Sequence, residues 1–166
     1  MELKKNGVSF QMDDEQVADI VLARLAGTAA PQIISLSPSG APRIGQPWPS
    51  QGGIYAGVMR GRDGAPDYHL IVGPESDEVN WEDARTWASG IRQDGVGDFT
   101  LPYRAEQSLQ FANVPELFKK EWYWSSEQYP AGSSDACVQH FYYGNQYWLH
   151  RSYQYRARAV RRLDIR

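Results

Sequence analysis

Two periods of hydrophobic spacing alternate along this chain. Val17, Ile20, Val21 and Leu25 recur at helical spacing. Asp13 stands at the N-cap position with Gln16 as its reciprocal partner, and Gly27 stops the run, so the pattern predicts a helix over 13–26. At about 14 residues it is marginal alone in water and must pack on the main domain, a symmetry mate or another protein. Trp81, Ala84, Trp87, Ala88 and Ile91 predict a second helix, capped by Asn80. A third runs from about Ala105 to Phe111, entered through Phe99-Thr-Leu101-Pro102 and closed by Asn113-Val-Pro115. Strand-like runs are Ile54–Met59, Tyr68–Val72, Trp122–Ser126, Cys137–Tyr143, Gln146–His150 and Arg156–Leu163. The turn chemistry of Gly61-Arg-Asp63-Gly64-Ala-Pro66 joins the first two. Strands, then two helices, then strands describe an α+β domain whose terminal strands pair with each other.

Pro31, Pro38, Pro42, Pro47 and Pro49, interleaved with Ser and Gly, mark a semi-rigid linker. The chain thus divides into a helical anchor or oligomerisation segment at 1–27, a linker at 28–51 and a compact binding domain at 52–166. A capped helix followed by such a spacer is the layout of a tether.

The net charge of −3 argues against general nucleic-acid binding. The charge is unevenly placed, because residues 136–166 carry six Arg and only Asp164 as an acid. Those arginines alternate with Ala and Val in Arg156-Ala-Arg158-Ala-Val-Arg161-Arg162. A half-buried basic strand pairing with acidic groups of its own fold explains this better than phosphate binding. The single Cys137 excludes an internal disulfide, a two-cysteine redox site and a cysteine-rich zinc site. No run approaches the ~20 apolar residues that span a membrane. Asp13-Asp14-Glu15 stands where a signal peptide would need its apolar core, so synthesis and folding in a reducing cytoplasm are expected.

Candidate chemistry is sparse. Positions 137 and 140 of a strand face opposite ways, so Cys137 and His140 form no joint site, and Cys137 reads as a buried small residue. Asp94, Asp98 and Glu106 could form a calcium cluster or an acid/base pair, yet no EF-hand spacing is present and turn or anchoring roles account for them. His69, His140 and His150 show no ligand spacing, and no nucleophile elbow or phosphate loop exists. The expectation is no enzyme, no metal and no cofactor.

Aromatic residues are concentrated instead. Of 21, eleven fall between Trp122 and Tyr155 and seven between His140 and Tyr155. The adjacent pairs Tyr142-Tyr143 and Tyr147-Trp148 must each send one member away from the core if they lie in strands. Asn145, Gln146, His150, Arg151, Ser152 and Gln154 crowd the same stretch. Tyr and Trp mixed with short polar groups is the composition of a contact surface. The expected ligand-binding residues are Tyr129, Tyr142, Asn145, Tyr147, Trp148, His150 and Tyr153, with Phe141 assigned to the core.

Taken in order, Trp81-Glu-x-Ala84, Phe99-Thr-Leu-Pro102 with Glu106, Tyr123-Trp-Ser-Ser126, Phe141-x-x-Gly144 and Arg156-x-Arg-x-Val-Arg-Arg162 resemble the DUF1566 (Lcl C-terminal) family across about residues 52–163. The resemblance implies a C-type-lectin-like domain of phage and prophage tail proteins, with two helices and short antiparallel strands. By position, Trp124, Ser125 and Ser126 match the family's Trp-Ser-Ser core and Arg156, Arg158 and Arg161 its closing strand. Val138–Tyr155 matches the segment that varies in diversified relatives. Phe99 stands where Trp is usual, and the paired cysteines of secreted members are missing. The fold also resembles formylglycine-generating enzymes, whose cysteine pair this chain lacks.

The same resemblance implies a virion protein of a phage tail, made in the host cytoplasm. It would bind a bacterial surface receptor, a glycan or a protein such as a pilus, and meet other tail proteins through its N-terminal segment. A homo-oligomer, a trimer, would raise the avidity of weak sites. Neither nucleic acid nor membrane insertion is expected. The alternatives are a structural tail or decoration protein, a bacterial lectin-like adhesin and, last, a hydrolase using Asp94, Asp98 or Glu106.

Overall fold

A computed structural model of the chain describes residues 40–130 and 133–165 in full and the backbone of residues 2–5 and 8–11. The chain divides into two units, residues 1–34 and 35–166. Within the first, β1 (Glu2–Lys5) and β2 (Val8–Gln11) form an antiparallel hairpin, which the hydrophobic spacing did not predict. The expected helix over 13–26 and residues 28–39 of the expected linker lie outside the described residues.

In the second unit, β3 (Pro47–Trp48), β4 (Gly53–Met59), β5 (Tyr68–Glu75) and β9 (Arg158–Asp164) form a four-stranded sheet in the order β3-β4-β5-β9. A three-stranded sheet has the order β6-β7-β8, with β6 at Trp122–Gln128, β7 at Asp135–His140 and β8 at Gln146–His150. All these neighbours are antiparallel. Two ten-residue helices, α1 (Trp81–Gly90) and α2 (Arg104–Asn113), separate the strand groups.

The expected α+β, C-type-lectin-like domain does not hold. Among the described residues the protein is mostly β, two antiparallel sheets of four and three strands with only two helices. The physical reason is visible in where segments pair. Residues 40–51, which read as linker, are laid onto the sheet: Gly45 N–H donates to Tyr55 O, Tyr55 N–H donates to Gln46 O, and Pro47–Trp48 pairs with Gly53–Ile54. Hydrophobic period identifies an element, but backbone register alone decides which strands share a sheet.

α1 forms where expected. Asn80 accepts from the Asp83 N–H as its cap, and Trp81, Ala84 and Ala88 make its buried stripe. That stripe meets Phe99, Leu101, Trp124, Ala136, Val138, Ala157 and Ala159 in one apolar cluster. A second cluster joins Ala56, Leu70, Val72 and Val160 to Val114, with Leu109 and Phe118 packed against it. α2 is different, because its fully buried residues are Glu106, Gln107 and Gln110. It touches β4, β6 and β7. Gln107 of that face bonds to the strands, its Nε2 donating to Tyr123 O and its backbone O accepting from Gln139 Nε2.

The arginines of the C-terminal strand each find acids. Arg156 pairs with Glu121 and Glu75, Arg158 with Glu75, Arg161 with Asp98 and Arg162 with Glu106. They hold the closing segment to β5, to α2 and to the loops that carry Asp98 and Glu121.

Under Trp48 lies a buried polar pair. Tyr55 Oη and His69 Nδ1 are 2.9 Å apart, and the Trp48 ring packs edge-on to both. Burial pushes His69 below the ordinary imidazole value and Tyr55 above the ordinary phenol value. A depressed folded-state pKa means that the unfolded chain takes up the proton first as pH falls. His69 therefore contributes stability that is complete above about pH 6.5 and is lost below it. Thermal melts on either side of that pH should show the wild type losing midpoint with acid, and His69→Gln losing less. Equal losses would mean that His69 is not the titrating group.

Candidate functional site

The seven residues expected to bind ligand lie along and around the edge strand β8, in three groups. Tyr142 and Asn145 sit in the β7–β8 turn, Tyr147 and Trp148 in β8, and His150 and Tyr153 at its far end. Tyr129 comes just after β6 and meets Trp148, with ring centroids 5.2 Å apart. Five strand residues span roughly 15 Å, so these groups form an extended strip rather than one point.

The turn differs from the expected strand over 137–143. β7 stops at His140, whose Nδ1 accepts the Tyr142 N–H at 3.1 Å. Gly144 takes φ +76°, where any Cβ would run into the Phe111 ring, and closes the turn. Phe141 rotates inward to stack on Phe118 at 3.7 Å. As a result Tyr142 and Tyr143 do not face opposite ways: both point to solvent, with rings in edge contact at 4.7 Å. Lys120 Nζ lies over the Tyr142 ring, and Trp122 and Tyr143 flank the His140 ring.

In β8 the alternation is as expected. Tyr147 pairs with Val138 and shares the face of Trp124 and Leu149, whereas Trp148 pairs with Cys137 and shares the face of Gln139 and Tyr123. Tyr147 stays exposed because β8 is the outer strand. Trp148 is partly covered by Arg104, whose guanidinium lies 5.1 Å from its ring. At the far end, His150 Nδ1 accepts the Ser152 N–H at 3.2 Å and lies 2.7 Å from Ser152 Oγ, and its ring meets Tyr153. His140 and His150 thus do the same local work, each holding a turn through the backbone N–H two residues on.

Exposure separates surface from core sharply. Tyr143 is 73 % exposed, Tyr147 63 %, Tyr142 54 %, Tyr153 53 % and Tyr129 49 %, while Tyr123 and Trp124 are wholly buried. Clefts of about 270–560 Å³ open among the described residues, and none of the seven residues lines these. The strip is an open surface suited to a large partner. Sequence reasoning missed Tyr143, because a strand reading turned it away from Tyr142, and Lys120 and Arg104, which come from α2 and the segment after it. The only signal for Tyr143 was its place beside Tyr142 just before a glycine.

Two of the three acidic residues weighed for catalysis are occupied. Glu106 is fully buried and accepts from Tyr68 Oη (2.6 Å), Tyr103 N–H (2.6 Å), and Arg162 Nε and Nη2 (2.7 Å each). Asp98 takes Arg161. Arg161 and Arg162 are successive strand residues, so the two carboxylates meet opposite faces of the sheet and cannot act as a pair. Asp94 sits in a turn at φ +51°. Burial pushes the Cys137 thiol up to about 11, which removes its nucleophilic form at neutral pH. Among the described residues no group of three or more His, Cys, Asp or Glu is placed to hold a metal ion. No described helix is long and apolar enough to cross a membrane.

No family model matches this chain, and no curated protein matches it. Function therefore rests on the strip itself and on the order of the chain's motifs.

Proposed function

We propose that the chain is a non-enzymatic binding protein whose contact surface is the aromatic strip along β8. One observation carries this. Of nine large apolar or aromatic side chains exposed among the described residues, five are the tyrosines at 129, 142, 143, 147 and 153. Scattered exposed hydrophobes need no explanation, whereas a concentration of stiff aromatics beside Asn145, His140 and Lys120 supports a recognition surface. The order of motifs, which resembles that of DUF1566 proteins, favours a phage or prophage tail as the setting, with a bacterial surface receptor as the partner. Several copies, as in a trimer held by the N-terminal segment, would add avidity to weak single contacts.

Tyr143→Ala with Tyr147→Ala is the direct test. Both side chains are mostly solvent-exposed, so the thermal midpoint should stay within the change expected of surface substitutions, about 0.5 kcal/mol each. Particles carrying the variant should assemble normally and adsorb to cells at least ~30-fold less well, the effect of losing about 2 kcal/mol at a hot spot. Failed assembly with a folded domain would assign the strip to a neighbouring virion protein. Unchanged adsorption would refute the surface.

A further inference from the structure

We propose that the open edge of β8 takes an added β-strand from a partner protein, an extended segment with a carboxylate opposite Trp148. The proposal rests on reading the aromatic strip as a receptor-facing surface and names a polypeptide, not a glycan, as what it recognises. A sheet edge presents unpaired backbone N–H and C=O groups, and proteins ordinarily blunt it. Among the described residues, three of the four edges in the second unit are blunted. β3 has two residues and begins with Pro47. β9 is covered at Val160, which exchanges both backbone hydrogen bonds with Thr100. β6 is covered on its outer side, where Trp122 O accepts from Arg156 N–H, Trp124 N–H donates to Arg156 O and Ser126 N–H donates to Pro102 O.

β8 has none of these devices. It holds no proline and no lysine, and its pairing with β7 runs from Gln146 to His150 without a bulge. The register fixes which groups face outward. His140 N–H donates to Asn145 O and Arg151 N–H donates to Ser134 O, so Asn145, Tyr147, Leu149 and Arg151 turn their backbone toward β7. Gln146, Trp148 and His150 turn theirs away. His150 O is taken by the Tyr153 N–H. The N–H and C=O of Gln146 and Trp148 and the N–H of His150 have no partner among the described residues. Donors and acceptors thus recur at a two-residue period, a pattern that an extended polypeptide matches and a sugar does not.

Charge selects the kind of strand. The Arg104 guanidinium lies beside this edge, its Nε donating to Gln146 Oε1 at 3.0 Å and its plane 5.1 Å from the Trp148 ring. Glu127 takes the Arg104 backbone N–H, not the guanidinium. Lys120 lies over Tyr142 at the turn end of the strip. Neither cation has an ion pair among the described residues. A carboxylate on the residue opposite Trp148 would meet Arg104, and charge-assisted hydrogen bonds are the stronger kind. A second copy of the chain fits less well. Pairing β8 with itself about a two-fold axis sets Trp148 opposite its own copy and brings two Arg104 guanidiniums to one face at that axis. Tyr147 on one face, and Trp148 with Tyr129 on the other, border the side chains of the added strand.

The test uses the full chain and synthetic peptides of about eight residues, alternating Val and Thr, with Glu, Gln or Lys at the centre. Calorimetry should show the Glu peptide binding at least ~10-fold more tightly than the Lys peptide, with the gap shrinking as salt rises. N-methylation of alternate residues blocks one edge of the added strand, so one phase should abolish binding and the other leave it within about twofold. The Trp148 amide should exchange with solvent faster than that of Tyr147 in the free chain and slow at least ~10-fold in the complex. Arg104→Gln should bring the Glu peptide down to the affinity of the Gln peptide and leave the latter unchanged. No binding of any peptide, equal effects of the two methylation phases, or an equal loss of both peptides in Arg104→Gln overturns the proposal. Slowing of the Trp148 amide with chain concentration alone gives the edge to a second copy and overturns it too. If it falls while Tyr143→Ala with Tyr147→Ala still lowers adsorption, the strip stands as a surface for another kind of receptor. If adsorption is also unchanged, both readings fall.

Discussion

Glu106→Ala is expected to lower folding stability by about 3 kcal/mol, the lower end of the cost of removing one member of a buried ion pair. Glu106 is fully buried and ties three elements together: Tyr68 of β5, Arg162 of β9 and the Tyr103 N–H that precedes α2. Its loss takes the carboxylate from Arg162, which keeps only Thr100 Oγ1 and Leu101 O as acceptors, and leaves two further donors unmet. Arg162 keeps 25 % of its side chain in solvent, which holds the cost toward that lower end. Urea unfolding of variant and wild type measures the difference. A second readout is specific to the contact. Burial and the bond to Glu106 push Tyr68 up to about 12, above its unfolded value of about 10. A raised folded pKa gives stability that is complete below the unfolded value and is lost as pH climbs from about 10 through 12. The variant should ionise a tyrosine earlier by absorbance titration and lose less stability across that window. A change under about 1 kcal/mol would show that solvent replaces the pair freely.

Trp124→Ala should cost about 3–5 kcal/mol, the range for deleting a large buried aromatic. The ring is wholly buried between the three-stranded sheet and α1. Its indole N–H donates to Val79 O at 2.9 Å, and its face meets Tyr155 at 5.2 Å. Val79 and Tyr155 also exchange backbone hydrogen bonds, so a cavity here loosens the segment just past the Tyr153 turn. Thermal unfolding should show a large midpoint drop, and hydrogen exchange should speed up at Val79 and Tyr155. Set beside the near-neutral Tyr143→Ala, this contrast tests the division of one aromatic window into core and contact surface. Similar losses at both positions would erase it.

That division was partly legible in the sequence. The window itself, the burial of Phe141, and the opposite facing of Tyr147 and Trp148 come from composition and the two-residue period of a strand, whereas the core place of Trp124 came from the resemblance. The turn did not. A run of Cys137 to Tyr143 reads as one strand, because nothing in its pattern shows that His140 will capture the Tyr142 N–H or that Phe141 will find Phe118. Glu106 was legible as an anchor for backbone or an arginine rather than a catalyst, yet the sequence could not say which arginine. Whether a carboxylate is a catalyst or an anchor depends on what faces it, and Arg162 lies 56 residues away.

The layer arrangement was the larger error. Periodicity located both helices and nearly every strand of the second unit. It could not say that Pro47–Trp48 would join a sheet, nor that β9 would pair with β5 while β6, β7 and β8 formed a sheet of their own. By itself the sequence determined which residues alternate, which stretch is aromatic and polar at once, and that its basic strand must find acids. The tertiary structure alone decided which tyrosines meet solvent, which acids the arginines hold, and which sheet edge stays open. The reason is physical. Side-chain period is a local property of the backbone, whereas exposure and charge pairing depend on contacts between residues far apart in the chain, which form only when the sheets choose their register.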